Sequence, residues 1–139
     1  MLTLRRETDA YQELTQALND RLDRFNMRVT GDHNWIPVAF ALRDEAGELR
    51  GGILADIWGG WMHITVLIVD DDLRGQGWGD RLLEAAEAVA VSAGCRGVHL
   101  ETFSFQARPF YEKHGYEVFA AIDDFPPGHT NYFMRKMLS

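Results

Sequence analysis

Residues 61–83, WMHITVLIVDDDLRGQGWGDRLL, join an almost wholly apolar run to three glycines and then to a helical pattern. The run 61–69 is apolar or β-branched at nearly every position, as a central strand covered on both faces should be. After Gly79 the period changes. Leu82, Leu83, Ala86, Val89, Ala90 and Ala93 fall on one side of a helix, Arg81, Glu84 and Glu87 on the other, and Gly94 ends it. Glycine inside a helix costs ~0.5–1 kcal/mol relative to alanine, so Gly75, Gly77 and Gly79 are not there for helix stability. At a helix N-terminus the first N–H groups lack intrahelical partners and the dipole is positive. Glycines admit the positive φ angles of a concave nest and let backbone approach a large anion without a Cβ in the way. A phosphate or pyrophosphate is the natural guest. The plainer alternative is a glycine-rich turn that packs tightly.

The flanking sequence sets the fold. GVHLET (97–102) reads as a strand, and a helix between two strands makes a βαβ unit, so 61–69 and 97–102 should be parallel neighbours. WIPVAFALR (35–43) and LRGGILADIW (49–58) read as a hairpin around Gly47, and Gly59-Gly60 turns the chain into 61–69, giving an antiparallel meander. Tyr11, Leu14, Leu18, Leu22 and Phe25 recur at helical steps, with Glu13, Asp20, Asp23 and Arg24 opposite. LTLRRE before them is expected as a short strand. QARPFYEKH (106–114) is a short helix ended by Gly115, and YEVFAAI (116–122) and TNYFMRKML (130–138) are strands. The expected class is α/β (α+β): one mixed, mostly antiparallel sheet with helices on both faces. At 139 residues a single domain over 1–139 is expected.

Which phosphate is a question of motif. No Lys-Ser or Lys-Thr follows the glycines, so this is not a P-loop. Gly75-x-Gly77 imitates a dinucleotide fingerprint, and Glu101 at the next strand's end imitates its ribose-binding acid. However, Asp80 takes the third glycine's place and too little chain follows Glu101 for the second half of such a domain.

Arg74-Gly75-Gln76-Gly77-Trp78-Gly79, together with Ala107-Arg108-Pro109-Phe110-Tyr111-Glu112-Lys113-His114-Gly115-Tyr116 further on, resembles the two hallmark motifs of the GNAT superfamily of acyl-CoA N-acyltransferases, [Q/R]-x-x-G-x-[G/A] and A-x-x-F-Y-x-x-x-G-[F/Y]. Both occur in the family's order and spacing, and the element order is similar to the family's fold. The resemblance implies acetyl-CoA as co-substrate and central parallel strands that splay apart to admit its arm. It implies that Ile68 and Val69 pair with the pantetheine through their backbone, and that N–H groups from Arg74 through Gly75, Gln76, Gly77, Trp78 and Gly79 to Asp80 cradle the pyrophosphate. It also sets Ser104 (where the family often has Asn), Ala107 and Tyr111 along the cofactor, Tyr111 near the thioester sulfur.

Acyl transfer to an amine needs a neutral amine, a polarised thioester, oxyanion stabilisation and a proton for the thiolate. A strand N–H can stabilise the oxyanion, and Tyr111 can supply the proton, its ordinary pKa of ~10 exceeding that of a thiol. Tyr111 read without its motif is an amphipathic core residue. For the base, Glu101 and His63 are the candidates. His99, which shares a strand face with Glu101, and Asp56 are further ones, each with a structural reading beside it. His129 and His33 lie in loops, where they can line a substrate mouth. Trp58 and Trp61 offer either an aromatic wall for a cation or hairpin packing. The five histidines lack metal-ligand spacing, so no metal is expected. The lone Cys95 forms no internal disulfide and reads as a small core residue.

A net charge of −7 argues against nucleic acid as a partner. No apolar run reaches the ~18 residues of a membrane span, and nothing marks a secretory leader, so a cytoplasmic location is expected. The expected function is an acetyl-CoA-dependent N-acetyltransferase acting on a primary amine of a small molecule or protein. The alternatives are a catalytically inactive acyl-CoA sensor and a dinucleotide-binding domain. Assembly as a homodimer is left open.

Overall fold

The computed structural model describes residues 1–31 and 34–138. The chain divides into two compact units, Met1–His33 and Asn34–Ser139. In the first, a single 3-10 turn (Thr8–Ala10) leads into helix α1 (Tyr11–Thr30). Its apolar residues follow the predicted stripe, and Gly31 closes it at φ +69°, donating its N–H to the Met27 carbonyl at 2.7 Å. The strand expected over LTLRRE is absent: residues 1–7 carry no regular structure. A strand needs a ladder partner for its backbone groups, and two leucines ahead of a charged run do not secure one.

The second unit is built on a six-stranded sheet in the order β1-β2-β3-β4-β6-β5. Its strands are β1 (Ile36–Arg43), β2 (Leu49–Trp58), β3 (Trp61–Val69), β4 (Gly97–Phe103), β5 (Glu117–Asp123) and β6 (Thr130–Met137). The β1–β2 turn is fixed by the Asp44 carboxylate, which accepts from the N–H groups of Ala46 (2.9 Å) and Glu48 (3.0 Å). Helix α2 (Trp78–Ser92) carries the chain from β3 to β4, which run parallel, while all other neighbours are antiparallel. Alternation sends Ile53, Met62, Ile64, Val98, Leu100 and Met134 to one face, where they bury against Leu82, Leu83, Ala86 and Ala90 of α2. Cys95 is in this core, and burial pushes its thiol pKa up. Helix α3 (Arg108–Lys113) lies on the same side: the Arg108 guanidinium stands 4.5 Å above the Tyr132 ring, and Tyr116, just after the helix, donates its hydroxyl to Glu87 of α2 at 2.7 Å.

The parallel pair is short. β3 and β4 are in register only from Trp61↔Gly97 to Ile64↔Leu100. At that level the β2–β3 register slips, because Leu54 faces Val66 while Ala55 faces Ile64. Thr65 is therefore the extra residue of a β-bulge, its hydroxyl donating to the Leu54 carbonyl at 3.2 Å. A bulge bends its strand and sharpens the twist. Beyond it β3 stays with β2 as far as Val69, whereas β4 continues along β6 to Phe103. The splay expected between the central parallel strands is present, and its cause is this bulge. Among the described residues, no helix is long and apolar enough to cross a membrane.

Candidate functional site

The fork between β3 and β4 opens a cleft of about 840 Å³, within the size range of small-molecule sites. The second half of β3 forms one wall, the end of β4 and α3 the other, and the glycine loop the floor. Ten of the residues singled out in the sequence line it: Ile68, Val69, Arg74, Gly75, Gly77, Gly79, Asp80, Glu101, Ala107 and Tyr111. Gln76, Trp78, Ser104 and His63 are not among the lining residues. Gln76 donates its amide to the Asp72 carbonyl at 3.4 Å, and the Trp78 ring lies 4.5 Å under the Arg81 guanidinium. Ser104 closes the base of the β5–β6 loop: its Oγ accepts from the Thr130 N–H at 3.0 Å, and its own N–H donates to the Thr130 carbonyl at 2.8 Å. His33 lies outside the described residues.

The loop's glycines are required by backbone angle. Gly75 and Gly77 sit at φ +77° and +84°, and Gly77 is the N-cap of α2 with no side chain capping the helix. The first-turn N–H groups are thus left for a ligand. Gly79 is tight for another reason, since a Cβ there would meet the Phe110 ring at 3.4 Å. The approach to the loop is held by Arg50, whose guanidinium donates to Asp70 (2.9 Å) and Asp72 (2.6 Å). That pairing raises the Arg50 pKa and lowers that of Asp72. Asp80, in the first turn of α2, accepts from His114 at 2.6 Å and from Lys113 at 3.1 Å, and these two hydrogen bonds, His114's first, hold its carboxyl below its ordinary range. Its negative charge at the floor is therefore matched by neighbouring donors. Lys113, which also lines the cleft, is a cation that sequence reasoning left unassigned although it lies inside the second motif.

Tyr111 is buried in the cleft wall, edge-on to Phe110 and Tyr116, and burial pushes its pKa up to about 12. Glu101 stands one residue past the last β3–β4 pair. Its Oε1 accepts from the Nδ2 of Asn131 at 3.1 Å. Asn131, buried on β6, gave no signal in sequence because its partner is thirty residues away across the sheet. His63 and His99, in register on β3 and β4, stack face to face at 4.5 Å between centroids and 3° between planes. Burial, then the His63 charge, lowers the His99 pKa. Trp61 meets His99 edge-on at 6.0 Å, so it packs against the sheet. His129 contacts Phe105 edge-on at 4.8 Å beside the cleft's end. Among the described residues there is no cluster of His, Cys, Asp and Glu able to hold a metal.

A fork in a sheet above a glycine-lined helix N-terminus suits an extended thiol cofactor with a pyrophosphate. Comparison with known proteins agrees. The model of the Acetyltransferase (GNAT) family matches residues 2–116. A blasticidin-S acetyltransferase of Streptomyces morookaense is 44% identical over 95 residues, 68% of this chain and 70% of the relative. The crystal structure of an acetyltransferase from Bacillus cereus ATCC 14579 superposes with a TM-score of 0.87 at 31% identity, over 99% of both chains. The fold is shared, at 21% identity and a TM-score of 0.65 over 75% of this chain and 64% of the other, by a Bacillus anthracis str. Ames acetyltransferase in complex with acetyl coenzyme A. The dinucleotide-binding alternative falls with these matches, and relatives named as acetyltransferases weigh against an inactive sensor. The chain belongs to the GNAT family as an N-acetyltransferase, with acetyl-CoA as its co-substrate.

Proposed function

We propose that this enzyme acetylates the primary amine of a small molecule by direct attack on the thioester, with Glu101 as base and Tyr111 as hydrogen-bond donor to the departing sulfur, and that residues 1–139 act as one domain. The observation that carries the reading is the coincidence of Glu101 and Tyr111 in the walls of one cleft, above the glycine loop. The unpaired β4-side edge of β3 past Thr65 can take the pantetheine amides as an added strand. The N–H groups of the loop then receive the pyrophosphate, and a β3 N–H at the fork the oxyanion. Most aliphatic amines are protonated at neutral pH, and the Glu101 carboxylate, fixed by Asn131, accepts the proton directly or through one water. The amine nitrogen then bonds to the carbonyl carbon, the carbonyl π pair moves onto oxygen, and its return expels the thiolate. His63, held against His99 away from the lining residues, is the weaker base candidate.

A small-molecule acceptor is supported by the relative named for blasticidin S and by the cleft's volume. Domain unity is supported by a family match that begins at residue 2. The test is Glu101→Gln, which keeps the Asn131 contact sterically possible. kcat at neutral pH should fall by ~10²-fold or more, with recovery as pH approaches the amine's own pKa and with unchanged acetyl-CoA affinity. A variant with parental turnover at pH 7 removes Glu101 from the base role and leaves His63 to be tested.

A further inference from the structure

The end of β4 carries a group of rings that acetyl transfer itself does not need. Glu101 and Phe103 share a strand face, and Phe103 leads through a turn to Phe105. Phe103 and Phe105 stack at 5.4 Å with planes 6° apart. Phe125, from the β5–β6 loop, meets Phe103 edge-on at 5.4 Å, and His129, from the same loop, meets Phe105 edge-on at 4.8 Å. The loop is tied down beneath them by Ser104, and by Asp124, whose carboxylate accepts from the Gly128 N–H at 2.9 Å. Rings that served only to close the hairpin would bury their faces. Here Phe105 is 55% exposed and Phe125 45%. Phe105 also lines the cleft that holds Glu101. The platform therefore adjoins the reacting position and continues away from it.

We infer that this platform is the acceptor's recognition site and that the preferred acceptor is a planar, unsaturated ring joined by a short tether to a primary ammonium group. This rests on the assignment of acetyl transfer to the same cleft. The ammonium is drawn to Glu101, the anion at the fork, in a chain whose net charge is −7. Two residues of strand span roughly 6.6 Å, so the platform begins, at Phe103, within reach of a ring carried on a short chain from an amine at Glu101. Ring faces select planar π systems by offset or edge-on contact, a preference beyond simple burial. A saturated ring of the same carbon count is at least as hydrophobic but cannot stack.

That difference is the test. Release of CoA thiol is followed with the full chain, acetyl-CoA, and 2-phenylethylamine, 2-cyclohexylethylamine or hexylamine, while acetyl-CoA binding is measured by calorimetry. The expected result is a kcat/KM for 2-phenylethylamine about threefold to tenfold above that for 2-cyclohexylethylamine, with Phe105→Leu and Phe125→Leu each bringing the ratio towards one. The ratio is taken within one variant, so losses of folding or basal turnover cancel. Equal or better use of the saturated amines, a ratio unmoved in both variants, or no transfer to any of the three with acetyl-CoA bound would overturn the inference. Failure of acetyl-CoA to bind would instead strike the cleft assignment on which it rests.

Discussion

Tyr111→Phe removes one oxygen and keeps the ring that packs edge-on against Phe110 and Tyr116. The size of the effect follows from the burial of the hydroxyl. Its pKa is pushed up to about 12, against ~8.5 for an ordinary thiol. Complete transfer of the tyrosine proton to the thiolate is then uphill by roughly 3.5 pH units, or about 5 kcal/mol. The hydroxyl therefore acts chiefly by donating a hydrogen bond to the sulfur as charge develops, and solvent protonates the thiolate later. A hydrogen bond to a charged partner contributes ~1.5–3 kcal/mol, so kcat should fall by about 10- to 100-fold while acetyl-CoA affinity stays within about twofold. The pH dependence has a definite sign. The donor is present below the tyrosine's pKa and is lost only as pH rises through about 12. The parent's kcat should therefore show no alkaline fall up to about pH 10. The assay is steady-state turnover from about pH 6 to 10, with cofactor affinity measured separately. An alkaline fall in the parent near pH 9–10 that disappears in Tyr111→Phe would refute the argument from burial. Unchanged kcat where thiolate expulsion limits turnover would remove Tyr111 from the chemistry altogether.

Two further perturbations probe the floor of the cleft and its support. Gly77→Val forces a β-branched residue to φ +84° at the open N-terminus of α2. Affinity for CoA should drop by at least about tenfold with cooperative unfolding retained, and a calorimetric affinity within about twofold of the parent would mean the loop does not cradle the pyrophosphate. Glu87→Ala strips the Tyr116 hydroxyl of its 2.7 Å acceptor and leaves Lys136 without the carboxylate that lies 3.1 Å away. A loss of about 2–3 kcal/mol in urea unfolding is expected, and a change under about 0.5 kcal/mol would show that this cluster is better solvated than its burial implies.

What the sequence made legible was local. The change of period after Gly79 marked α2, and glycine at two positions with φ near +80° marked the nest. Each of those signals is carried by residues adjacent in the chain. The site's side chains are less local. Asn131 reaches Glu101, and Phe125 reaches Phe103, only because β6 runs antiparallel beside β4 with Asn131 opposite Phe103. His63 looked as free to act as Glu101 until the β3–β4 register stacked it on His99. The LTLRRE segment failed in the opposite direction, since its pattern suggested a strand and no neighbour supplied a ladder.

Glu101 shows how narrow the deciding fact can be. An acid at the end of the strand after a glycine-rich turn suits a ribose hydroxyl and an attacking amine equally well, and no property of the residue separates the two. What bears on the proposed role is where β3 leaves β4. Pairing stops at Ile64↔Leu100, and the slip that leaves Thr65 unmatched against β2 occurs at the same level. Had the strands stayed together to Val69, Glu101 would face a closed sheet and the cleft that it lines would have no room for an extended thioester. Nothing in the string ITVLIV announces the bulge, because threonine among β-branched neighbours is ordinary strand sequence. The bulge is a product of the β2–β3 pairing, and it turns a carboxylate of ambiguous meaning into one that stands at the mouth of a fork, opposite the strand edge where an acyl group can lie.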